Sequence, residues 1–279
     1  MSKLPVSVII VAKESASTIE ECLIAIIKNN PSEIIVIDGN STDETMQIAR
    51  KYTEKVYSDD GKGLCFARQL GVEQATQEYI AYVDSDVVLI EDALSIMYRE
   101  FMASDCISLV AQEAPNRNIS GYWEWAQYEH NQFRRGQCSF GTIAGIMKKE
   151  TILKFGFNQS SNDIYSAMDD MDMEIRLRKA GYKFGTSSAI YYHSYKSDFK
   201  SFVRYRFFMG RLTACYIKKY GPCNVGFWPP LSRLYWLGLF LIKGKPKLIP
   251  YIIVDGMMQT AGMLRELLGT PGKDTSEKR

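Results

Sequence analysis

Residues 79–89 read Tyr-Ile-Ala-Tyr-Val-Asp-Ser-Asp-Val-Val-Leu, an apolar run that leads into two aspartates one residue apart, Asp84 and Asp86. Side chains at positions i and i+2 of an extended segment point to the same side, so both carboxylates can face one ligand. Such oxygen ligands suit Mg²⁺ or Mn²⁺. Because Asp and Ser are also favoured in turns and at helix starts, a solvated turn that caps the next helix is the alternative interpretation.

Two apolar runs upstream indicate the sheet that holds this pair. Residues 6–12 and 33–38 are rich in β-branched side chains, as strands buried on both faces are, and a helical pattern follows each run. Strands that alternate with helices predict right-handed crossovers and a mainly parallel sheet flanked by helices. Ligands of such sheets bind beyond the carboxyl ends of the strands. Ala12, Lys13 and Asp38 lie at those ends.

The region between these runs and the next acidic cluster contains basic and aromatic candidates. Lys62, between Gly61 and Gly63, can contact a diphosphate as a point charge, and a plain glycine turn with a surface lysine is the alternative. The helix predicted next carries Arg68. Residues 121–135 are less regular and strongly aromatic, and Trp123 and Trp125 can either stack on a sugar or fill a core.

A second acidic cluster places four carboxylates in six residues, at Asp169, Asp170, Asp172 and Glu174. A charged first helical turn explains part of this pattern. Crowded like charges also raise at least one pKa, as a general base working near neutral pH requires. His193 follows a strand-like run and is either a third metal ligand or a structural histidine.

Composition indicates a globular protein of 279 residues, 46% of them hydrophobic. From Lys200 onward there are 14 Lys and Arg against 4 Asp and Glu, although the whole chain has a net charge of only +2. None of the apolar blocks in this basic, aromatic region reaches the ~20 residues of a membrane-spanning helix. The pattern favours a helix in a membrane interface, with a helical subdomain packed on the catalytic body as the alternative. No nucleic-acid-binding motif accompanies the charge.

Six stretches, in this order, resemble inverting family 2 glycosyltransferases of the GT-A, Rossmann-like fold: VSVIIVAKES, EIIVIDGNSTDET, GKG with ARQLG, YIAYVDSDV, GTIAGIMKKETILKFGF and DDMDMEIRLRKAGYKF. They cover roughly residues 5–195. The resemblance implies a catalytic domain at residues 1–198, followed by a helical extension at residues 199–279. The chain departs from the family's pattern after the first strand, where members of the family commonly have Pro-Thr-Tyr-Asn-Glu.

The resemblance also implies roles for individual residues. Asp170 would be the catalytic base, with Asp169 as its partner in the dyad. Mn²⁺ or Mg²⁺ would be held by Asp84 and Asp86, and His193, singled out above from the sequence itself, is added as the third ligand. With the residues singled out above, the predicted substrate-binding set comprises Ala12, Lys13, Glu14, Asp38, Lys62, Arg68, Asp84, Ser85, Trp123 and Trp125.

The resulting hypothesis is a metal-dependent transfer of a hexose from a nucleotide sugar, with UDP favoured over GDP-mannose, to a glycan or lipid-linked acceptor. The six cysteines form no CxxC pair and the chain opens without a signal-peptide pattern, so we expect reduced thiols and a location on the cytoplasmic face of the membrane. A nucleotidyltransferase would leave the second acidic cluster without a role. A catalytically inactive module that binds sugar nucleotides or a lipid surface is the alternative from another class.

Overall fold

The structure is a computed structural model that describes residues 3–114, 119, 121–133, 140–157, 169–193, 198–221 and 229–269. The chain forms two compact units. The first comprises Met1–Asn116, Gly136–Asn162 and Ser166–Ser194, and the second comprises Arg117–Arg135, Asp163–Tyr165 and Tyr195–Arg279. The chain passes from the first unit to the second for the last time between Ser194 and Tyr195, close to the predicted boundary between residues 198 and 199. Residues 117–135 belong to the second unit and not to the first.

The first unit has an α/β architecture. Its strands are β1 (Leu4–Ala12), β2 (Pro31–Asp38), β3 (Val56–Ser58), β4 (Tyr79–Val83), β5 (Val87–Leu89), β6 (Ser108–Glu113), β7 (Ala144–Lys148) and β8 (Phe184–His193). Its helices are α1 (Ile19–Lys28), α2 (Thr45–Ala49), α3 (Leu64–Gln74), α4 (Ala93–Met102), α6 (Lys149–Phe155) and α7 (Asp169–Lys179).

These strands form one eight-stranded sheet in the order β3-β2-β1-β4-β7-β6-β8-β5. The pairs β1–β2, β1–β4, β2–β3 and β6–β8 are parallel, whereas β4–β7, β6–β7 and β5–β8 are antiparallel. Only β5 and β7 therefore run against the other six strands, and the prediction of a mainly parallel α/β sheet is confirmed. The carboxyl ends of β1, β2, β4, β6 and β8 consequently share one edge of the sheet.

Apolar side chains pack on both faces of this sheet. One face of β1 contributes Val8 and Ile10 to a cluster with α1 and α4, and the other contributes Ile9 to a cluster with α3 and α7. Gly71 lets α3 approach closely, because a Cβ there would lie 2.4 Å from Cγ2 of Ile9. This close contact fixes α3 against the sheet, and α3 carries Arg68.

The second unit is helical. It contains α5 (Tyr122–Phe133), α8 (Phe199–Tyr220), α9 (Pro229–Ile242), a 3₁₀ helix (Pro246–Leu248) and α10 (Ile249–Leu268). The sequence pattern predicts a less regular region at residues 121–135, but Tyr122–Phe133 form the regular helix α5, which buries Ala126 in an apolar cluster with Phe202, Phe240 and Tyr251. None of the described helices combines the length and the apolar character that crossing a membrane requires.

Four of the six cysteines lie among the described residues, and none of these four is in a disulfide: Cys22, Cys65, Cys106 and Cys215. Cys138 and Cys223 lie outside the described residues.

Candidate active site

The loops that follow β1 and β2 are tied together at the carboxyl edge of the sheet. The Glu14 carboxylate accepts hydrogen bonds from the backbone N–H of Thr42 (2.8 Å) and from its hydroxyl (3.0 Å). In return, the backbone N–H of Glu14 donates to the Ser41 hydroxyl at 3.0 Å. Glu14 has a φ of 48°, a left-handed conformation that non-glycine residues rarely adopt. These contacts fix the backbone of Glu14, next to buried Ala12 and exposed Lys13, and its role in substrate binding stays a prediction.

Asp38 ends β2 and is almost completely buried, with 1% of its surface exposed. Its Oδ2 accepts a hydrogen bond from the backbone N–H of Ser41 at 3.0 Å. Its Oδ1 is buried and receives no hydrogen bond from any residue in the described ranges. Leaving a buried carboxylate oxygen without a donor is costly, so this atom is suited to accept an N–H from a ligand.

The Gly61–Gly63 loop is organised by Asp59, which the sequence analysis did not single out. Asp59 is buried and accepts hydrogen bonds from the backbone N–H groups of Gly61 (2.7 Å) and Gly63 (3.0 Å). An aspartate two residues before a glycine is a turn signal that could have identified it. Lys62 is exposed, lies over the Phe66 ring at 4.4 Å, and is 3.5 Å from the Asp60 carboxylate.

Asp84, Ser85 and Asp86 form the turn between β4 and β5. The turn is anchored by the backbone N–H of Asp84, which donates to the Ile143 carbonyl oxygen at 2.9 Å. The Ser85 hydroxyl is 2.9 Å from the Ser15 hydroxyl, so the aspartate pair is linked to the loop after β1. Ser15 therefore contacts this turn, although the sequence analysis did not single it out.

Arg68 connects the two acidic clusters. Its Nη1 lies 3.0 Å from Oδ2 of Asp169, and its Nη2 lies 3.8 Å from Oδ1 of Asp84. Only 8% of the Arg68 side chain and 2% of the Asp169 side chain are exposed. The Tyr82 hydroxyl donates to the Arg68 carbonyl oxygen at 2.9 Å and holds this turn of α3 against β4. Residues separated by about a hundred positions in the sequence thus meet in one site.

Burial and crowding shift the carboxylates away from their ordinary pKa. Desolvation, opposed by Arg68 and reinforced by Asp86, raises the pKa of Asp84 to about 6. Burial also raises the pKa of Asp169, which Arg68 opposes and Asp170 reinforces. Both residues are therefore carboxylates held in an unfavourable environment, where the Arg68 cation stabilises their charged forms.

Asp170 is the less buried member of the dyad. Its Oδ1 accepts a hydrogen bond from the backbone N–H of Met171 at 2.7 Å, at the start of α7. Its charge contributes to the raised pKa of Asp84 and of Arg68, which places it in the same electrostatic environment. Asp169 faces Arg68, whereas Asp170 is only partly buried.

His193 ends β8 and contacts a carboxylate on each side. Its Nε2 lies 3.3 Å from Oδ1 of Asp86, and its Nδ1 lies 3.9 Å from Oε1 of Glu113. Burial lowers the pKa of His193, but Asp86, Glu113 and Asp84 outweigh that effect, so the pKa is raised. Sequence reasoning missed Glu113, although its place after the apolar run of β6 is the signal that identified Asp84.

The side chains at this edge of the sheet that offer ligand atoms to the predicted metal are Asp84, Asp86 and His193. Among the residues that the structure describes, no three His, Cys, Asp or Glu side chains form a ready metal-binding group. Mg²⁺ is commonly held by only one or two carboxylates, with the remaining positions filled by water and substrate phosphates. Asp84 and Asp86, with the His193 imidazole beside them, fit that type of shared site and not a cage made by protein alone.

Trp123 and Trp125 lie in the second unit, and their predicted role in substrate binding stays a prediction. The Trp123 ring stacks on Phe202, with ring centroids 4.8 Å apart, and also packs against Phe199. Trp125 packs on the same apolar cluster. Both rings therefore contribute to the core of that unit, which is one of the two alternatives that the sequence left open.

Comparisons with known proteins agree with this architecture. A mannosyltransferase of Pyrobaculum calidifontis, solved with GDP-Man and Mn²⁺, superposes with a TM-score of 0.66 at 16% identity, over 96% of this chain and 88% of that one. Glucosyl-3-phosphoglycerate synthase of Mycobacterium tuberculosis, solved with Mn²⁺ and UDP-glucose, gives a TM-score of 0.53 at 14% identity, over 77% and 79%. These likenesses confirm the predicted GT-A fold.

The sequence comparison shows the family. Chondroitin synthase of Pasteurella multocida is 25% identical over 195 residues, which make up 67% of this chain and 20% of that protein. This chain thus spans about a fifth of the length of that relative. The model of the family described as glycosyl transferase family 2 matches residues 7–160, more than half of the chain. The chain therefore belongs to glycosyl transferase family 2.

Proposed function

We propose that this chain is a metal-dependent, inverting glycosyltransferase that moves a hexose from a nucleotide sugar to an acceptor hydroxyl. The observation that carries the proposal is the Arg68 bridge. It brings the Asp84–Asp86 pair and the Asp169–Asp170 pair into one site at the carboxyl edge of the sheet. One acidic pair suits a cation and diphosphate, and the other suits removal of a proton.

Asp170 is the general base in this mechanism. Its carboxylate removes the proton from the acceptor hydroxyl, whose oxygen forms a bond to the anomeric carbon as the bond from that carbon to the diphosphate oxygen breaks. A single in-line displacement inverts the anomeric configuration. Asp169 is the positioning partner, because its buried ion pair with Arg68 holds the start of α7 where Asp170 can reach the acceptor.

Asp84 and Asp86, with His193 beside them, would hold Mn²⁺ or Mg²⁺. When bound, the cation supplies charge that stabilises the leaving diphosphate. Lys62, on the loop that Asp59 organises, adds a further positive charge for the diphosphate. Both structural neighbours named above were solved with Mn²⁺, which supports the metal dependence.

Asp38 provides the contact for the nucleotide base. Its buried Oδ1 can accept the imide N–H of uracil, and UDP is the donor nucleotide that we propose. Guanine also offers N–H donors at its pairing edge, and one structural neighbour holds GDP-Man. A GDP-mannose-dependent transferase is therefore the second candidate.

The acceptor that we propose is a glycan or a lipid-linked glycan, reached from the cytoplasmic face of a membrane. From Lys200 onward the chain has 14 Lys and Arg against 4 Asp and Glu, and this positive charge supports contact with an anionic surface.

A panel of UDP- and GDP-sugars, read by thermal shift with and without Mn²⁺ and by hydrolysis of the donor, tests this function. We expect one UDP-sugar to raise the melting temperature in a metal-dependent way and to be slowly hydrolysed. Stabilisation by GDP-mannose alone would select the second candidate. Stabilisation without hydrolysis or transfer would indicate an inactive binding module, and no response to any member would refute the proposal.

A further inference from the structure

The outward face of α10 is mainly apolar, and Arg265 is exposed at its edge near the end of the helix. The exposed positions on this face are three or four residues apart and therefore share one side of the helix. They are Pro250, Ile253, Met257, Ala261, Leu264 and Leu268. The exposed fraction is 50% for Ile253, 60% for Met257, 46% for Leu264 and 80% for Leu268. We call this set the outer stripe.

The inward face of the same helix holds a buried polar group among apolar side chains such as Tyr251 and Ile252. Asp255 is completely buried, and its Oδ1 lies 3.0 Å from Nε of Arg206 on α8. Gln259 donates from Nε2 to the same carboxylate oxygen at 2.8 Å. Helices of water-soluble proteins usually bury their apolar side and expose their polar side, whereas α10 is apolar on both sides.

Two glycines prevent α10 from rotating to bury the outer stripe. A Cβ at Gly262 would lie 2.0 Å from the Phe207 carbonyl oxygen, and a Cβ at Gly210 would lie 2.0 Å from the Gln259 carbonyl oxygen. The backbones of α8 and α10 are therefore in direct contact at these points. Rotating α10 would break this contact and would expose the Arg206–Asp255 ion pair, so the outer stripe stays outward.

The end of α9 and the segment that joins it to α10 add exposed apolar and cationic side chains. Leu241 and Ile242, at the end of α9, are 57% and 83% exposed. Lys243 and Lys247 follow and are also exposed. Exposed apolar side chains together with cationic side chains are typical of a helix that lies in the interface of an anionic membrane.

We propose that the outer stripe, with Leu241 and Ile242, is the surface through which this protein lies on an anionic lipid membrane. The stripe is about 27 Å long, from the 18 steps between Pro250 and Leu268 at a rise of ~1.5 Å each, and would lie along the membrane plane. A second copy of the chain fits less well, because pairing two stripes would bring the exposed lysines and the excess of basic residues after Lys200 together. This inference deepens the membrane attachment proposed above and does not depend on the chemistry of the active site.

Vesicle binding tests the inference with the full chain. The wild-type protein is mixed at low ionic strength with vesicles of phosphatidylcholine alone, or with about a third of phosphatidylserine added, and the bound fraction is measured by flotation. We expect binding to the anionic vesicles that weakens with salt. Met257→Glu with Leu264→Glu should weaken binding by about tenfold or more, because two apolar contacts are lost and two repelled charges are added.

The matched control is Met102→Glu on α4, which adds a charge at another exposed methionine, 53% exposed, in the first unit. It should change vesicle binding by less than about twofold. Donor hydrolysis in solution is measured for every variant. Hydrolysis that survives while vesicle binding is lost separates this inference from the proposed function.

The unmodified protein provides a second readout, because all four tryptophans, at positions 123, 125, 228 and 236, belong to the second unit. Lipids brominated in the upper acyl chain should quench their fluorescence when anionic vesicles bind. No flotation and no quenching with anionic vesicles would overturn the inference. A concentration-dependent dimer that the Met257→Glu and Leu264→Glu changes abolish, without any vesicle binding, would also overturn it and would identify a second copy as the partner of the stripe.

Discussion

Replacing Arg68 by Met should destabilise the protein strongly and in a pH-dependent way. The Arg68 and Asp169 side chains are 8% and 2% exposed, and their charged atoms are 3.0 Å apart. Removing one partner of a buried pair leaves the other charge uncompensated, which costs about 3–5 kcal/mol. We therefore expect the free energy of unfolding to fall by about this amount at pH 8, in the absence of added metal.

The sign of the pH dependence follows from the folded-state pKa. Loss of the cation raises the folded pKa of Asp169 and Asp84 further, above the value of about 3.9 for an unfolded aspartate. The folded variant then binds protons that the unfolded chain does not, so its stability decreases as pH rises towards and through the folded pKa. Because the pKa of Asp84 is already about 6 in the wild type, the deficit relative to wild type should grow from pH 5 to pH 8.

Urea unfolding at pH 5 and pH 8, with a chelator present, measures both effects. Arg178→Met is the matched control, because the Arg178 side chain is 47% exposed and pairs with Glu174 on the surface of α7. It should cost no more than about 1 kcal/mol at either pH. Combining Arg68→Met with Asp169→Asn should restore part of the loss at pH 8. If Arg68→Met lost the same free energy of unfolding at both pH values, or no more than Arg178→Met loses, the buried ion pair of Arg68 and Asp169 would not account for the loss.

Three further changes test other parts of the structure. Asp38→Ala should abolish the thermal shift caused by the nucleotide while the melting temperature of the free protein changes little, and an unchanged shift would remove Asp38 from base recognition. Asp59→Ala should lower the free energy of unfolding in urea by about 1–3 kcal/mol, because two backbone N–H groups lose their acceptor. It should also raise the KM for the nucleotide-sugar donor more than it lowers kcat. An unchanged KM would show that the loop does not contact the diphosphate. Gly262→Ala should destabilise by about 1–3 kcal/mol, because the new Cβ meets the Phe207 carbonyl oxygen at 2.0 Å. Gly238→Ala is its control, because the added Cβ meets no described atom outside the backbone of its own helix within 4 Å. It should stabilise α9 slightly. Equal effects of the two changes would contradict the close contact of α8 and α10.

The sheet and its edge could be predicted from sequence because their signals are local. An apolar β-branched run followed by an acid marks both the strand and its carboxyl end, and Asp38 and Asp84 are such cases. The parallel direction of the strands then brings those ends together. The same reasoning applied to residues 108–113 would have found Glu113.

Other features depend on packing that no local pattern encodes. Arg68 lies between two acidic clusters because Gly71 lets α3 approach β1, a contact between distant parts of the chain. The apolar residues of α10 lie on both sides of the helix, and the contact of Asp255 with Arg206 on α8 decides which side faces inward. The aromatic residues of α5 obscured its helical period, because they are spread around the helix and are not confined to one face.

In the proposed mechanism Asp170 takes the proton, in a site shared with Asp84 and Asp86. The turnover of Asp170→Asn, measured together with the affinity of this variant for the donor nucleotide, decides whether it does. We predict that kcat falls by about 10²–10⁴-fold while nucleotide affinity stays within about threefold of the wild type. Near-normal turnover in this variant would contradict the account.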